Sequence, residues 1–115
     1  MVTVGIDMLE IARLERALER RPRLALRLFT EHERETCAGR ARPGQHLAAR
    51  FCAKEAVIKA LRLQTSPWQE IEVRSDQHGV PAIRLSGALA AQDGTIAISL
   101  THSGPMAGAV AVAGA

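Results

Sequence analysis

The pattern with the most chemical promise in this 115-residue chain is Glu55, Lys59 and Arg62. On a helix, positions i, i+4 and i+7 share a face, so one carboxylate would stand beside two cations. Magnesium takes hard oxygen ligands, and ammonium and guanidinium groups neutralise phosphate oxygens, so such a stripe suits a metal–polyphosphate site. The spacing equally fits an exposed ion pair worth about 0.3–0.5 kcal/mol. Its neighbours Cys52, Ala53, Ala56 and Val57 are small or apolar, which favours a face partly sheltered by other elements. A second carboxylate, Asp7, follows a short apolar run. Glu10 stands three residues further on, the spacing of a capping box, so a helix cap and a functional carboxylate are both open readings. Gly5 keeps bulk low beside it, as a close approach or a tight bend requires. His102 ends an apolar segment ahead of Ser103-Gly104-Pro105, where a surface hydrogen bond and a role in chemistry are both possible.

Those residues must be held by elements that the hydrophobic pattern outlines. Residues 2–6 read as a short buried strand. Asp7 then opens a helix from about Met8 to Arg20, with Met8, Ile11, Leu14 and Leu18 at helical spacing. Thr30, followed by Glu31 and Glu33, caps a short second helix. After a loop at 39–44, a long helix runs from Gln45 to about Leu63 and ends before Ser66-Pro67. The period then changes. Trp68–Arg74 and Val80–Leu85 alternate as strands around a turn at Asp76–Gly79, and Thr95–Thr101 pairs with Met106–Ala113. Helices and strands are segregated, so the expected class is α+β, an antiparallel sheet packed with helices in one domain spanning residues 1–115.

Composition narrows the partners. No apolar run approaches the ~18–20 residues that crossing a bilayer needs, so no membrane association is expected. The first residues lack a basic stretch before an apolar run, so no signal peptide is expected and the protein is assigned to the cytoplasm. Cys37 and Cys52 have no metal-ligand spacing and are expected to be reduced thiols. Of fifteen basic residues only Lys54 and Lys59 are lysines, and six arginines fall between positions 13 and 27. That density calls for an anionic partner. Nucleic acid is a poor fit, because there are only three aromatic residues for base stacking and Glu10, Glu15 and Glu19 interleave the arginines.

Taken in order, several segments resemble the holo-acyl-carrier-protein synthase family, the small trimeric group of phosphopantetheinyl transferases. They are Gly5-Ile6-Asp7-Met8 with Glu10, then Phe29-Thr30-Glu31, then Leu47 to Ala56 with Lys59-Ala60-Leu61. Trp68 to Val73, Asp76 to Pro81 and Ile98 to Ser103 complete the set. The resemblance runs almost end to end and implies the 4'-phosphopantetheinyl transferase fold. It implies that Asp7 and Glu55 ligate magnesium and that Lys59 lies beside the metal and the coenzyme A pyrophosphate. Arg50 and His102 would contact coenzyme A, with Ser103 joining through hydroxyl or backbone. Arg13, Arg20 and Arg23 fall where the family meets the acidic helix of its acyl carrier protein. The implied reaction moves phosphopantetheine from coenzyme A to a carrier serine, in fatty-acid or polyketide synthesis, with Asp7, Glu55, Lys59 and His102 as the catalytic set. Either a metal-bound water or a carboxylate such as Glu55 would take the serine proton. The chain departs from the family after Leu61, where Arg62–Pro67 replaces a glycine-rich loop. Either Arg62 there meets coenzyme A with a charge in place of backbone contacts, or the loop binds the nucleotide more weakly. A homotrimer is implied, with coenzyme A between subunits. The competing expectation is a degenerate module that docks carrier protein through the basic helix without transferring anything.

Overall fold

The computed structural model describes residues 1–114. A strand β1 (Thr3–Glu10) leads into helices α1 (Ile11–Arg20), α2 (Leu24–Leu28), α3 (Glu31–Ala38) and α4 (Pro43–Leu61). A 3₁₀ turn at Trp68–Glu70 precedes the hairpin β2 (Ile71–Ser75) and β3 (Pro81–Leu85). A second 3₁₀ segment, Gly87–Gln92, leads to β4 (Ile96–Ser103) and β5 (Met106–Ala113). The strands form a three-stranded antiparallel sheet ordered β1-β5-β4 and the separate two-stranded hairpin. The expected α+β class is what the chain adopts.

The architecture turns on α4, which packs against the inner face of the larger sheet and contacts α1, α3 and β2 as well. A helix covered on most sides must be apolar and narrow. Ala48, Ala49, Cys52, Ala53, Ala56, Val57 and Ala60 supply that surface, and all are buried. The strand β5 answers with small residues. Ala107, Ala109, Ala111 and Ala113 alternate inward and are buried, while Val110 and Val112 take the opposite face. Pro43 in the first turn starts α4, since a helix's first amides need no internal partner. Its end is a left-handed cap. Arg62 has φ 54°, its amide donates to Lys59 O at 3.1 Å, and the Leu63 amide donates to Ile58 O at 3.0 Å.

Three expectations are corrected in detail. Asp7 does not open a helix: β1 runs on to Glu10, because Asp7 and Met8 pair with Ala109 and Gly108 of β5, and α1 starts at Ile11. Glu10 is the cap residue and makes no side-chain capping bond. Residues Trp68–Glu70 form a 3₁₀ turn rather than the start of a strand, and the first strand is not buried, since Val4 and Ile6 are exposed. The cap expected at Thr30 is present in full. Its side chain accepts from the Glu33 amide at 3.2 Å, and the Glu33 carboxylate accepts from the Thr30 amide at 2.9 Å.

Candidate active site

Gly5 determines how close β1 comes to α4. A Cβ at that position would lie inside the radius of the Ala56 carbonyl oxygen and 2.8 Å from the Ala60 amide nitrogen. The strand therefore lies directly on the helix backbone, which only glycine over alanine allows. Two residues on, the same inward-facing side of β1 presents Asp7, in one row with the buried Ala109 and with Leu100. Asp7 is thereby brought to the α4 face that carries Glu55 and Lys59. The Lys59 ammonium donates to Ile6 O at 2.9 Å and to Asp7 Oδ1 at 3.4 Å.

The electrostatics of this corner fit a divalent cation. Burial pushes the Glu55 carboxyl above its usual range, the negative charge of Asp7 pushes it further, and Lys59 opposes both. The Cys52 thiol, also next to Asp7, is pushed up to about 12, first by burial and then by Asp7 and Glu55. It therefore stays protonated and does not compete as a metal ligand. Among the described residues no three His, Cys, Asp or Glu side chains gather into a complete metal cage. Magnesium does not need one, since it commonly binds one or two carboxylates and takes its other ligands from substrate phosphates and water. Asp7 and Glu55 supply two carboxylates that could hold such an ion.

Beside them opens a cleft of about 400 Å³, bordered by Asp7, Glu55 and Arg13 and walled by Leu24, Phe51 and Trp68 among others. The Phe51 and Trp68 rings stand 5.4 Å apart. Arg13, read from the sequence only as a docking residue, thus also borders the carboxylate pair, a position that its spacing in the sequence gave no sign of. Arg20 and Arg23 lie exposed at the end of α1 and the start of α2, and none of the three makes an ion pair among the described residues.

The remaining candidates lie elsewhere on the subunit. Arg50 is buried, its Nη1 donates to His46 O at 3.4 Å, and its Nε has no hydrogen-bond partner. His102 meets the Gln45 amide at 2.8 Å from its Nδ1. Arg40, Arg50 and His102 all act on the His46 imidazole, which is lowered first by burial and then by these positive neighbours. Positive charge from Arg40 and Arg50 is therefore collected at the start of α4, beside the neutral Gln45 and His46, neighbours that the sequence did not single out. Arg62 caps the other end of α4 and borders a separate cleft with Thr3 and Thr95. Twelve residues of helix separate Arg50 from Arg62, about 18 Å at 1.5 Å per residue. Ser103 closes β4 beside the tight turn, exposed, and with Asp7 and Leu100 it lines a further cleft of about 270 Å³. Asp7, Glu55 and Lys59 are brought together within one chain. Arg50 and His102 form a second cluster, and Arg62 stands alone.

Known proteins are similar to this chain over nearly its whole length. Holo-[acyl-carrier-protein] synthase of Moorella thermoacetica is 46% identical, over 97% of this chain and 93% of that protein. The enzyme of the same name from Salinispora arenicola is 45% identical, with 98% of each chain covered. The solved structure described as the Chronobacterium ammoniagenes ACPS–CoA complex superposes with a TM-score of 0.82 at 32% identity, covering 97% of this chain and 96% of that one. Residues 3–113 match the family as a whole, and with the two carboxylates joined at the β1–α4 crossing the chain belongs to the 4'-phosphopantetheinyl transferase superfamily.

Proposed function

We propose that this protein is a holo-[acyl-carrier-protein] synthase. It transfers the 4'-phosphopantetheine group of coenzyme A to a serine hydroxyl of an acyl carrier protein and releases adenosine 3',5'-bisphosphate. The observation that carries this reading is the convergence of Asp7 with Glu55 and Lys59 at the Gly5 crossing, beside a cleft of about 400 Å³. Asp7 and Glu55 are the proposed magnesium ligands. When bound, the metal supplies charge stabilisation to the pyrophosphate being cleaved. Lys59 adds a point charge to the same oxygens, held in place by the Ile6 carbonyl. Phe51, Trp68 and Leu24 keep water from the arm, and Arg13 holds an anionic group at the cleft mouth.

Coenzyme A is proposed to lie between subunits of a homotrimer. Arg50 and His102 lie by the start of α4 and the carboxylate pair at the β1–α4 crossing, and among the described residues the two clefts that Asp7 borders include neither Arg50 nor His102. The outer face of the three-stranded sheet supports assembly, because Val4, Ile6 and Met8 are 60%, 63% and 65% exposed on one side of β1. Such a continuous apolar face on an isolated chain is the mark of a covered surface. On β5, Ala107, Ala109 and Ala111 already meet α4 inside the subunit, so Val110 and Val112 remain for the partner. The exposed Arg13, Arg20 and Arg23 form the proposed docking surface for the acidic carrier. No helix among the described residues is long and apolar enough to cross a membrane, and we assign the enzyme to the cytoplasm.

The test is direct. Apo carrier protein incubated with coenzyme A and magnesium should gain the mass of one phosphopantetheine group. Asp7→Ala or Glu55→Ala should abolish the gain while the circular dichroism spectrum stays native. Absence of any mass gain across several carrier proteins would overturn the activity. Carrier binding that needs neither coenzyme A nor magnesium, without transfer, would instead mark a docking module.

A further inference from the structure

Five residues are too few for a helix to persist on its own hydrogen bonds, yet α2 holds a fixed place beside the cleft. The carbonyls at the end of a helix have no internal partners, and here side chains from a distant segment satisfy them. The Gln69 amide nitrogen donates to Leu26 O at 2.8 Å and to Phe29 O at 2.9 Å, with Arg27 O at 3.3 Å. The carbonyl left over, that of Leu28, accepts from the Lys54 ammonium at 2.8 Å.

The base from which Gln69 reaches is itself fixed. The carbonyl of its neighbour Trp68 accepts from Lys54 at 2.8 Å, and the Trp68 ring packs on Phe51. On the other side, Glu70 O accepts from the Ser86 amide at 3.0 Å and the Glu70 carboxylate from the Ala88 amide at 2.6 Å. One exposed amide on a rigid 3₁₀ turn therefore ties down a segment forty residues earlier in the chain. That segment starts at Arg23 and lines the cleft through Leu24 and Leu28, whereas Gln69 neither lines the cleft nor touches the carboxylate pair.

We propose that Gln69 is a positioning residue for carrier-protein recognition. By satisfying the terminal carbonyls of α2 it holds Arg23 at a fixed offset from Arg13 and from the metal pair, so that a docked acidic carrier presents its serine in register. Pre-ordering the segment removes an entropic cost that would otherwise fall on binding. The inference rests on the reading of Arg13, Arg20 and Arg23 as the docking surface.

The experiment varies apo carrier protein and coenzyme A separately in steady-state assays of Gln69→Met and Gln69→Glu. The first removes the donor at similar size, and the second faces carboxylate oxygens against carbonyl oxygens. Loss of two neutral hydrogen bonds predicts a rise of roughly tenfold in the KM for carrier, larger for Gln69→Glu, with a much smaller rise in the KM for coenzyme A, whose cleft α2 only partly walls. Hydrogen exchange should accelerate at the amides of residues 24–29 and not in α4. An unchanged carrier KM in both variants overturns the proposal. So does a parallel rise in both KM values with exchange accelerated throughout, which would reveal a general structural prop. Arg23→Ala and Arg13→Ala separate the premises. If they leave the carrier KM unchanged, the docking surface itself is misassigned and the proposal falls with it. If they raise it while the Gln69 variants do not, only the positioning role fails.

Discussion

Lys54 holds its ammonium in the interior with every proton occupied. It meets Glu33 Oε1 at 2.6 Å and the carbonyls of Leu28 and Trp68 at 2.8 Å each, and both ionic side chains are fully buried. Glu33 in turn accepts from the Thr30 amide and, at 2.7 Å, from the Val73 amide. Burial pulls the Lys54 pKa down, and Glu33 works against that pull. The pair sits where α3, α4, β2 and the 3₁₀ turn meet, one residue from Glu55. Glu33→Gln should cost about 3–5 kcal/mol, because it leaves an uncompensated buried charge; urea denaturation measures it. A second effect at this scale is visible in acid. Burial raises the Glu72 carboxyl, but hydrogen bonds from Thr30 and Arg74 outweigh it and leave it below the ordinary value of 4.5. A carboxyl lowered on folding stabilises above its unfolded pKa, and that contribution disappears as pH falls through the lower native value. The urea midpoint of the wild type should thus decline more steeply below about pH 4.5 than that of Glu72→Gln.

At the scale of elements, the β1–α4 crossing and the end of α4 decide the site. Gly5→Ala forces a methyl into the Ala56 carbonyl, an overpacking expected to cost about 1–3 kcal/mol. Activity should suffer more than stability, since displacing Asp7 by about 1 Å relative to Glu55 can cost on the order of a hundredfold in rate. Thermal melting and initial rates on the same variant distinguish the two losses. Arg62 presents the opposite case, a side chain at a left-handed position that glycine occupies freely. Arg62→Gly should stabilise by about 1 kcal/mol, raising Tm by about 3–6 °C. If its guanidinium meets coenzyme A, the KM for that substrate should rise in the same variant, so the two readouts move in opposite senses.

For the whole molecule, the separation of the carboxylate pair from the Arg50–His102 cluster makes a prediction about assembly. Asp7→Ala and Arg50→Ala should each be inactive alone. Mixed and reassembled in equal amounts, they should recover about a quarter of wild-type activity, because a site shared by neighbours then draws one intact side from each chain. No recovery in mixtures that light scattering shows to be trimeric would place the whole site within one subunit.

Much of this was legible in the residues alone. The long helix, the Thr30 cap, the hairpin around Asp76–Gly79 and the terminal strand pair follow from periodicity and turn chemistry, which act between residues close in the chain. The ordered landmarks from Gly5 to Ser103 carried the family and with it the candidate carboxylates. Sequence could not separate Asp7 the cap from Asp7 the site residue, because local spacing satisfied both; pairing with Ala109 across the sheet excludes the cap. Nor did it reveal Arg13 at the carboxylates, Gln45 on His102, or Gln69 tying down α2. Those contacts join segments many residues apart, and only the crossing of β1 on α4 and the packing around it bring them within reach of a hydrogen bond.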